Sequence, residues 1–186
     1  MATRTAIALI AFSLCAHALA AEVGGVKLED KLSVGGQDLV LNGAGVRTRV
    51  MFKVYVASLY LPQKAADTAA VVAKAPRRIQ LNLLRTLSAD QLVDALNEGL
   101  AENNSAADLA AVKAQVDQLA SIMKAFKEVK EKDVVTLDFV DGATRIGLNG
   151  ESRGSIPGEA FNQALTRVWL GDKPVQADLK KALLGG

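Results

Sequence analysis

Apolar and polar positions alternate from residue 26 through "VKLEDKLSVGGQDLVLNGAGV", and this pattern around Gly35-Gly36 predicts a β-hairpin. The next run, "RVMFKVYVASLYLP", is rich in Val, Tyr and Phe and is stopped by Pro62, which predicts a strand. "ADTAAVVAKA" predicts a short helix ended by Pro76, and "RRIQLNLLR" alternates through Ile79, Leu81 and Leu83 as a strand. The period then lengthens. In "SADQLVDALNEGLAENN", Ser88 and Gln91 have capping-box spacing, and Leu92, Leu96 and Leu100 recur at helical spacing. From Ser105 to Val129 a single helix is predicted, with Leu109, Val112, Val116, Leu119, Met123 and Phe126 on one stripe.

"DVVTLDFV" and "ATRIGLNG" flank Asp141-Gly142 and predict a second hairpin. "ESRGSIPG" reads as a surface loop leading into a helix, "GEAFNQALTRVWLG", ended by Gly171. A last short helix in "VQADLKKALLGG" ends at Gly185. Strands come in groups and helices come in groups, with no repeated strand–helix–strand unit. The fold class is therefore α+β: an antiparallel sheet with helices packed on one face.

The first twenty residues change the chemistry available. A short basic start, the apolar run "TAIALIAFSLCAHALA" and the small-residue ending Ala18-Leu19-Ala20 have the layout of a cleaved signal peptide, residues 1–20. The run is short for a membrane span, although a retained anchor is the alternative. Leu14 before Cys15 does not suit lipidation. Secretion across the inner membrane to the periplasm is expected, with no stable membrane anchor. Cleavage after Ala20 removes the only Cys (Cys15) and the only His (His17). Residues 21–186, read as one domain, then have no disulfide, no thiol nucleophile, no Cys/His metal site and no His base. Basic and acidic groups nearly balance and form no long runs, so no nucleic-acid partner is expected.

Gly43-Ala44-Gly45 lacks the third glycine of a dinucleotide loop and precedes a strand, so it reads as a bulge or tight turn. No cofactor and no metal is expected. Asp138, Asp141 and Glu151 read as solvated turn residues. If residues 47–61 form one extended run, Arg47, Arg49, Met51, Lys53, Tyr55, Ala57, Leu59 and Leu61 share one face. Val50, Phe52, Val54, Val56, Ser58 and Tyr60 share the other, which suits the helix-covered core. The first set fits either a cavity wall with polar groups at one end or a wet sheet face with incidental apolar residues. An arginine beside a tyrosine in an apolar cavity suits a carboxylate: guanidinium offers a rigid fork of donors and the phenol one more. Such a charge-assisted hydrogen bond contributes about 1.5–3 kcal/mol. Each buried CH₂ of a ligand chain contributes about 0.8 kcal/mol. The same pair can also polarise a carbonyl or stabilise a phenolate.

"GAGVR" followed by "FKVYVASLYLP" resembles the opening strands of the chalcone-isomerase fold. "GEAFNQALTRVWLGDKPVQADLKKALLG" is similar to the ending of the secreted bacterial chalcone-isomerase-like proteins. The resemblance implies an open-faced sandwich, with a ligand cleft between a curved antiparallel sheet and helices on one side. It implies that Arg47, after the two glycines, lies in that cleft. Where plant isomerases carry a catalytic threonine, "KVYVASLYL" has Tyr55, similar to the fatty-acid-binding members in which Arg and Tyr hold the carboxylate. The isomerases' further Tyr and Asn have no anchored match; Asn97 and Asn103 are candidates. Bacterial isomerases that use a His are excluded as a pattern. The implied function is a binding protein for a fatty acid or similar small amphiphile, with Arg47, Tyr55, Lys53, Met51 and Leu59 as ligand-binding residues. The alternative is an intramolecular lyase acting on an enone or flavonoid-like substrate, with Arg47 and Tyr55 catalytic.

Overall fold

In the computed structural model, which describes residues 21–73 and 76–186, two glycine pairs fold the beginning of the chain into hairpins. Residues 1–20, and the signal-peptide reading with them, lie outside the described residues. β1 (Ala21–Val23) and β2 (Val26–Leu28) pair across Gly24-Gly25, a hairpin the sequence reading does not contain. β3 (Lys31–Val34) and β4 (Gln37–Arg49) pair across Gly35-Gly36 as expected; both glycines have positive φ, which costs glycine nothing sterically. β4 continues to a turn at Val50-Met51 and pairs back with β5 (Phe52–Leu61). The expected single run through residues 47–61 is thus a hairpin. Its turn carries no Gly, Asn, Asp or Pro, so nothing in the local sequence announced it.

α1 (Thr68–Ala73) leads to β6 (Arg77–Leu83), in which every second residue is buried. β7 (Leu87–Ser88) precedes α2 (Ala89–Asn103), and Ser88 and Gln91 form the expected reciprocal cap. The region expected as one long helix is divided. α3 (Ala106–Ala111) and α4 (Lys113–Ala125) meet at Val112, which leaves helical geometry and is buried, and β8 (Glu128–Val129) pairs back with β7. The break lets α3 pack on α2 and the last long helix while α4 packs on α2 and the sheet edge.

β9 (Val134–Val140) and β10 (Ala143–Leu148) form the expected Asp141-Gly142 hairpin. "ESRGSIPG" is not a loop: β11 (Glu151–Pro157) pairs with β10 after a turn at Asn149-Gly150. As an edge strand it buries only Ile156 fully and tolerates Pro157, so it lacks the alternation that would reveal it. α5 (Glu159–Leu170) and α6 (Ala177–Leu183) close the chain.

Seven strands form one antiparallel sheet in the order β11-β10-β9-β6-β5-β4-β3, curled into a half-barrel with helices. Ala57, Leu59, Ile79, Leu81 and Leu137 meet Leu96, Leu100, Leu119, Phe161 and Leu165 in the main core. On the other face Tyr60 packs with Val34, Leu39 and Val140. There the β3–β4 turn folds towards the β9–β10 turn: a Cβ on Gly35 would lie 2.8 Å from Val140 Cγ2. The facing of β5 is thus the reverse of the expectation. Its Ala57, Leu59 and Leu61 meet the helices, and its Tyr60 turns away from them.

Candidate functional site

The two glycines before Arg47 make a seat for α6. A Cβ on Gly43 would overlap the carbonyl oxygen of Ala182 and come within 2.8 Å of that of Leu183. A Cβ on Gly45 would lie 2.9 Å from Ala182 Cβ. The strand is bulged here, its register shifting between Leu41 and Gly43. Buried Asn42 fastens the seat, donating to Leu183 O at 2.7 Å and to Ala65 O at 2.9 Å and accepting from Ala65 N. With α6 so placed, Gln176 at its N-terminus reaches back along β4. Its Oε1 accepts from Thr48 N at 2.9 Å and from Arg47 Nη1 at 3.4 Å, and its Nε2 donates to Val46 O at 3.4 Å. Arg47 Nη1 also donates to Thr48 O at 2.8 Å. The arginine is thereby held on β4 while its five N–H donors exceed what these contacts use.

A second bulge decides what Arg47 faces. The β4–β5 pairing starts as a two-residue hairpin, Arg49 with Phe52 and Thr48 with Lys53, and then skips Val54, so that Arg47 pairs with Tyr55. Without the skip Arg47 would oppose Val54, and the guanidinium and the phenol would stand on opposite faces. The phenol oxygen accepts from Trp169 Nε1 at 3.1 Å. Burial pushes the Tyr55 phenol above its ordinary value; the Trp169 hydrogen bond and the charge and contact of Arg47 pull it partly back. At ordinary pH the phenol is neutral, and its O–H is a donor.

Arg47, Tyr55 and Trp169 stand at a cavity of about 710 Å³ between the sheet and α2, α4 and α5. That volume is in the range of small-molecule sites, about 300–1,000 Å³. Leu81, Leu83 and Leu137 form its sheet side; Leu92, Leu119, Met123, Phe126 and Leu165 form its helix side. Arg49, Arg85 and Lys173 also line it, opposite Asp94, Glu98 and Glu102 of α2. Two exposed ion pairs link these groups: Arg49–Glu98 at 3.7 Å and Lys173–Glu102 at 3.3 Å.

Of the residues expected at the site, the structure brings Arg47 and Tyr55 together on the cavity wall. The other three do not line it. Met51 is at the hairpin turn and 93% exposed. Lys53 is exposed and pairs with Thr48, which puts it on the face opposite Arg47. Leu59 is on the cavity's side of the sheet but fully packed in the core. Neither Asn97 nor Asn103 lines the cavity; Asn97 is exposed, and Asn103 accepts from Lys173 N and donates to its carbonyl. Asp138 is no solvated turn residue, because Arg78 holds it bidentately at 2.6 and 2.8 Å. Trp169 and Gln176 are the additions. The only Trp of the chain, one helical turn from Leu165, had the spacing of a core residue but gave no sign of its phenol partner. A second arginine, Arg77, is buried away from the cavity. It donates to Thr166 Oγ1, lies over the Phe139 ring, and has its pKa lowered by burial to about 10.

A family model described as chalcone isomerase-like matches residues 20–185. Comparison with the curated proteins finds no match. Among solved structures, a fatty-acid binding protein of Arabidopsis thaliana superposes with a TM-score of 0.69 over 86% of this chain and 92% of that one. The two share 13% sequence identity, so the likeness is one of fold. The fold matches the one that the "GAGVR" and C-terminal resemblance implied.

Proposed function

The chain belongs to the chalcone isomerase-like family, and from that premise we propose that it is a binding protein for a fatty acid or similar small amphiphile. The observation that carries this reading is the Arg47–Tyr55 pair, cross-strand partners at an otherwise largely apolar cavity. The guanidinium supplies charge and forked donors, and the neutral phenol supplies one more, which suits a carboxylate head group. The leucines and aromatics beyond take the chain, which contributes most of the affinity at about 0.8 kcal/mol per CH₂. The similar Arabidopsis protein, described as fatty-acid binding, supports the ligand class. The basic start, apolar run and Ala18-Leu19-Ala20 ending of residues 1–20 support export, so we read the working location as the periplasm.

Calorimetric titration of delipidated protein with a saturated fatty acid and with the alcohol of equal chain length tests the reading. The acid should bind more tightly by about ten- to a hundredfold, as a charge-assisted hydrogen bond requires. Arg47→Ala should remove that preference and leave the alcohol's affinity nearly unchanged. Equal affinities in the native protein would refute the head-group assignment. Arg47-dependent turnover of naringenin chalcone would favour an isomerase instead.

A further inference from the structure

The large apolar side chains left exposed among the described residues gather at one place. Val50 is 80% exposed, Met51 93% and Phe52 61%, and they are consecutive at the β4–β5 turn. Among the described residues folding has buried the other large apolar side chains at least partly, so a run of three on a hairpin tip calls for a partner. The backbone there is unusual as well. Val50 and Met51 both have positive φ, 47° and 71°, a conformation that favours Gly, Asn or Asp and disfavours a β-branched residue. A turn selected for stability alone would carry other residues.

Cations surround the tip. Arg49 and Lys53 flank it in sequence, and the Arg85 guanidinium lies 5.0 Å from the centre of the Phe52 ring. One acid, Glu98, pairs with Arg49 at 3.7 Å; Lys53 and Arg85 form no ion pair among the described residues. Val50, Phe52, Arg49 and Arg85 also line the cavity, so the tip stands at its edge.

We propose that the β4–β5 hairpin tip docks on a lipid surface bearing anionic head groups. The three apolar side chains enter the head-group layer, and Arg49, Lys53 and Arg85 meet its charge. Each such cation near an anionic surface adds favourable attraction, screened by salt. A second copy of the chain fits the tip less well. Three side chains on one turn are far short of the roughly 800 Å² per partner of a stable interface, and two cationic tips repel. No helix among the described residues is long and apolar enough to cross a membrane, so the contact proposed is peripheral. A carrier of amphiphiles docked here would hold its cavity edge against the lipid, but the docking itself does not depend on what fills the cavity.

Cosedimentation with vesicles tests this. The protein should sediment with phosphatidylglycerol/phosphatidylcholine vesicles, more weakly with phosphatidylcholine alone, and less as salt rises. Met51→Asp should lower the partition coefficient about tenfold, as losing most of one methionine's burial requires. Lys53→Glu should lower it in the anionic vesicles only. Met51→Gly should lower it too, with a thermal midpoint unchanged or raised because glycine suits the φ of 71°. Fatty-acid binding in solution should be the same in all three variants, which separates this proposal from the cavity reading. Absence of sedimentation, or equal sedimentation of native protein and Met51→Asp, would overturn it. Lipid-independent dimerisation abolished by Met51→Asp would also overturn it, in favour of a second copy.

Discussion

Gly43→Ala should be among the most costly single-methyl additions in this protein. The new Cβ would overlap the backbone oxygen of Ala182 and lie 2.8 and 2.9 Å from the oxygen and carbon of the Leu183 carbonyl. These are backbone atoms of α6, so no rotamer change relieves the clash, and the helix end must lift off β4. Lifting it weakens the 2.7 Å bond from Asn42 to Leu183 O and loosens the packing of Leu179 and Leu183, both fully buried. Overpacking costs about 1–3 kcal/mol. A weakened buried hydrogen bond costs about 1–3 kcal/mol more. Replacing glycine recovers about 0.4–1 kcal/mol from the unfolded chain. The net expectation is a loss of about 1–5.5 kcal/mol, read by urea denaturation with the m-value unchanged. Gly45→Ala should cost less, because it meets side-chain atoms, Ala182 Cβ at 2.9 Å and Leu179 Cδ1 at 3.0 Å. The sharper test is rescue. Ala182→Gly removes the atom that obstructs Gly45→Ala and should restore part of its stability. It leaves the carbonyl that obstructs Gly43→Ala and should restore none. A Gly43→Ala protein within about 0.5 kcal/mol of native, the range of neutral surface changes, would refute the seat argument.

Two further outcomes follow from the same geometry. The chain has two tyrosines, Tyr55 and Tyr60, and burial raises both phenols, so the folded protein should form tyrosinate only above the ordinary range near 10. The stabilisation from this is complete below the unfolded pKa of about 10. It is lost as pH rises towards the folded values, because there the unfolded chain gives up protons first; Tyr55→Phe should halve the ultraviolet tyrosinate signal and flatten that loss. Trp169→Phe removes the donor to the Tyr55 oxygen, which should cost about 1–3 kcal/mol in thermal unfolding and push the Tyr55 phenol higher still; a tyrosinate titration unchanged from native would contradict the bond.

What could be read from the sequence was what is decided locally. The Ser88–Gln91 cap, the Asp141-Gly142 turn and the alternation of β6 each depend on a few neighbouring residues, and each was legible. Two arrangements at the site were not. The turn at Val50-Met51 carries residues that ordinarily avoid positive φ, so the run looked like one strand. The skip at Val54 leaves no trace in composition. Same-face placement of Arg47 and Tyr55 was inferred from the parity of an unbroken strand, yet the structure achieves it with a turn and a bulge. The errors at Met51 and Lys53 come from that same misreading. The facing of Tyr60 was missed because the residues on both faces of β5 are mostly apolar, so composition does not say which face the helices cover. Gln176 was invisible for another reason: it meets Thr48 across 128 positions, and only the packing of α6 on Gly43 brings them together.

The central claim is that the cavity holds an amphiphile by its head on Arg47 and Tyr55, and native mass spectrometry of protein purified from a periplasmic extract tests it most directly. The account predicts a co-purified mass in the fatty-acid range, bound in the native protein and lost in a folded Arg47→Ala protein. A fatty-acid mass retained at equal occupancy in Arg47→Ala, or native protein that stays empty when incubated with fatty acids, would contradict it.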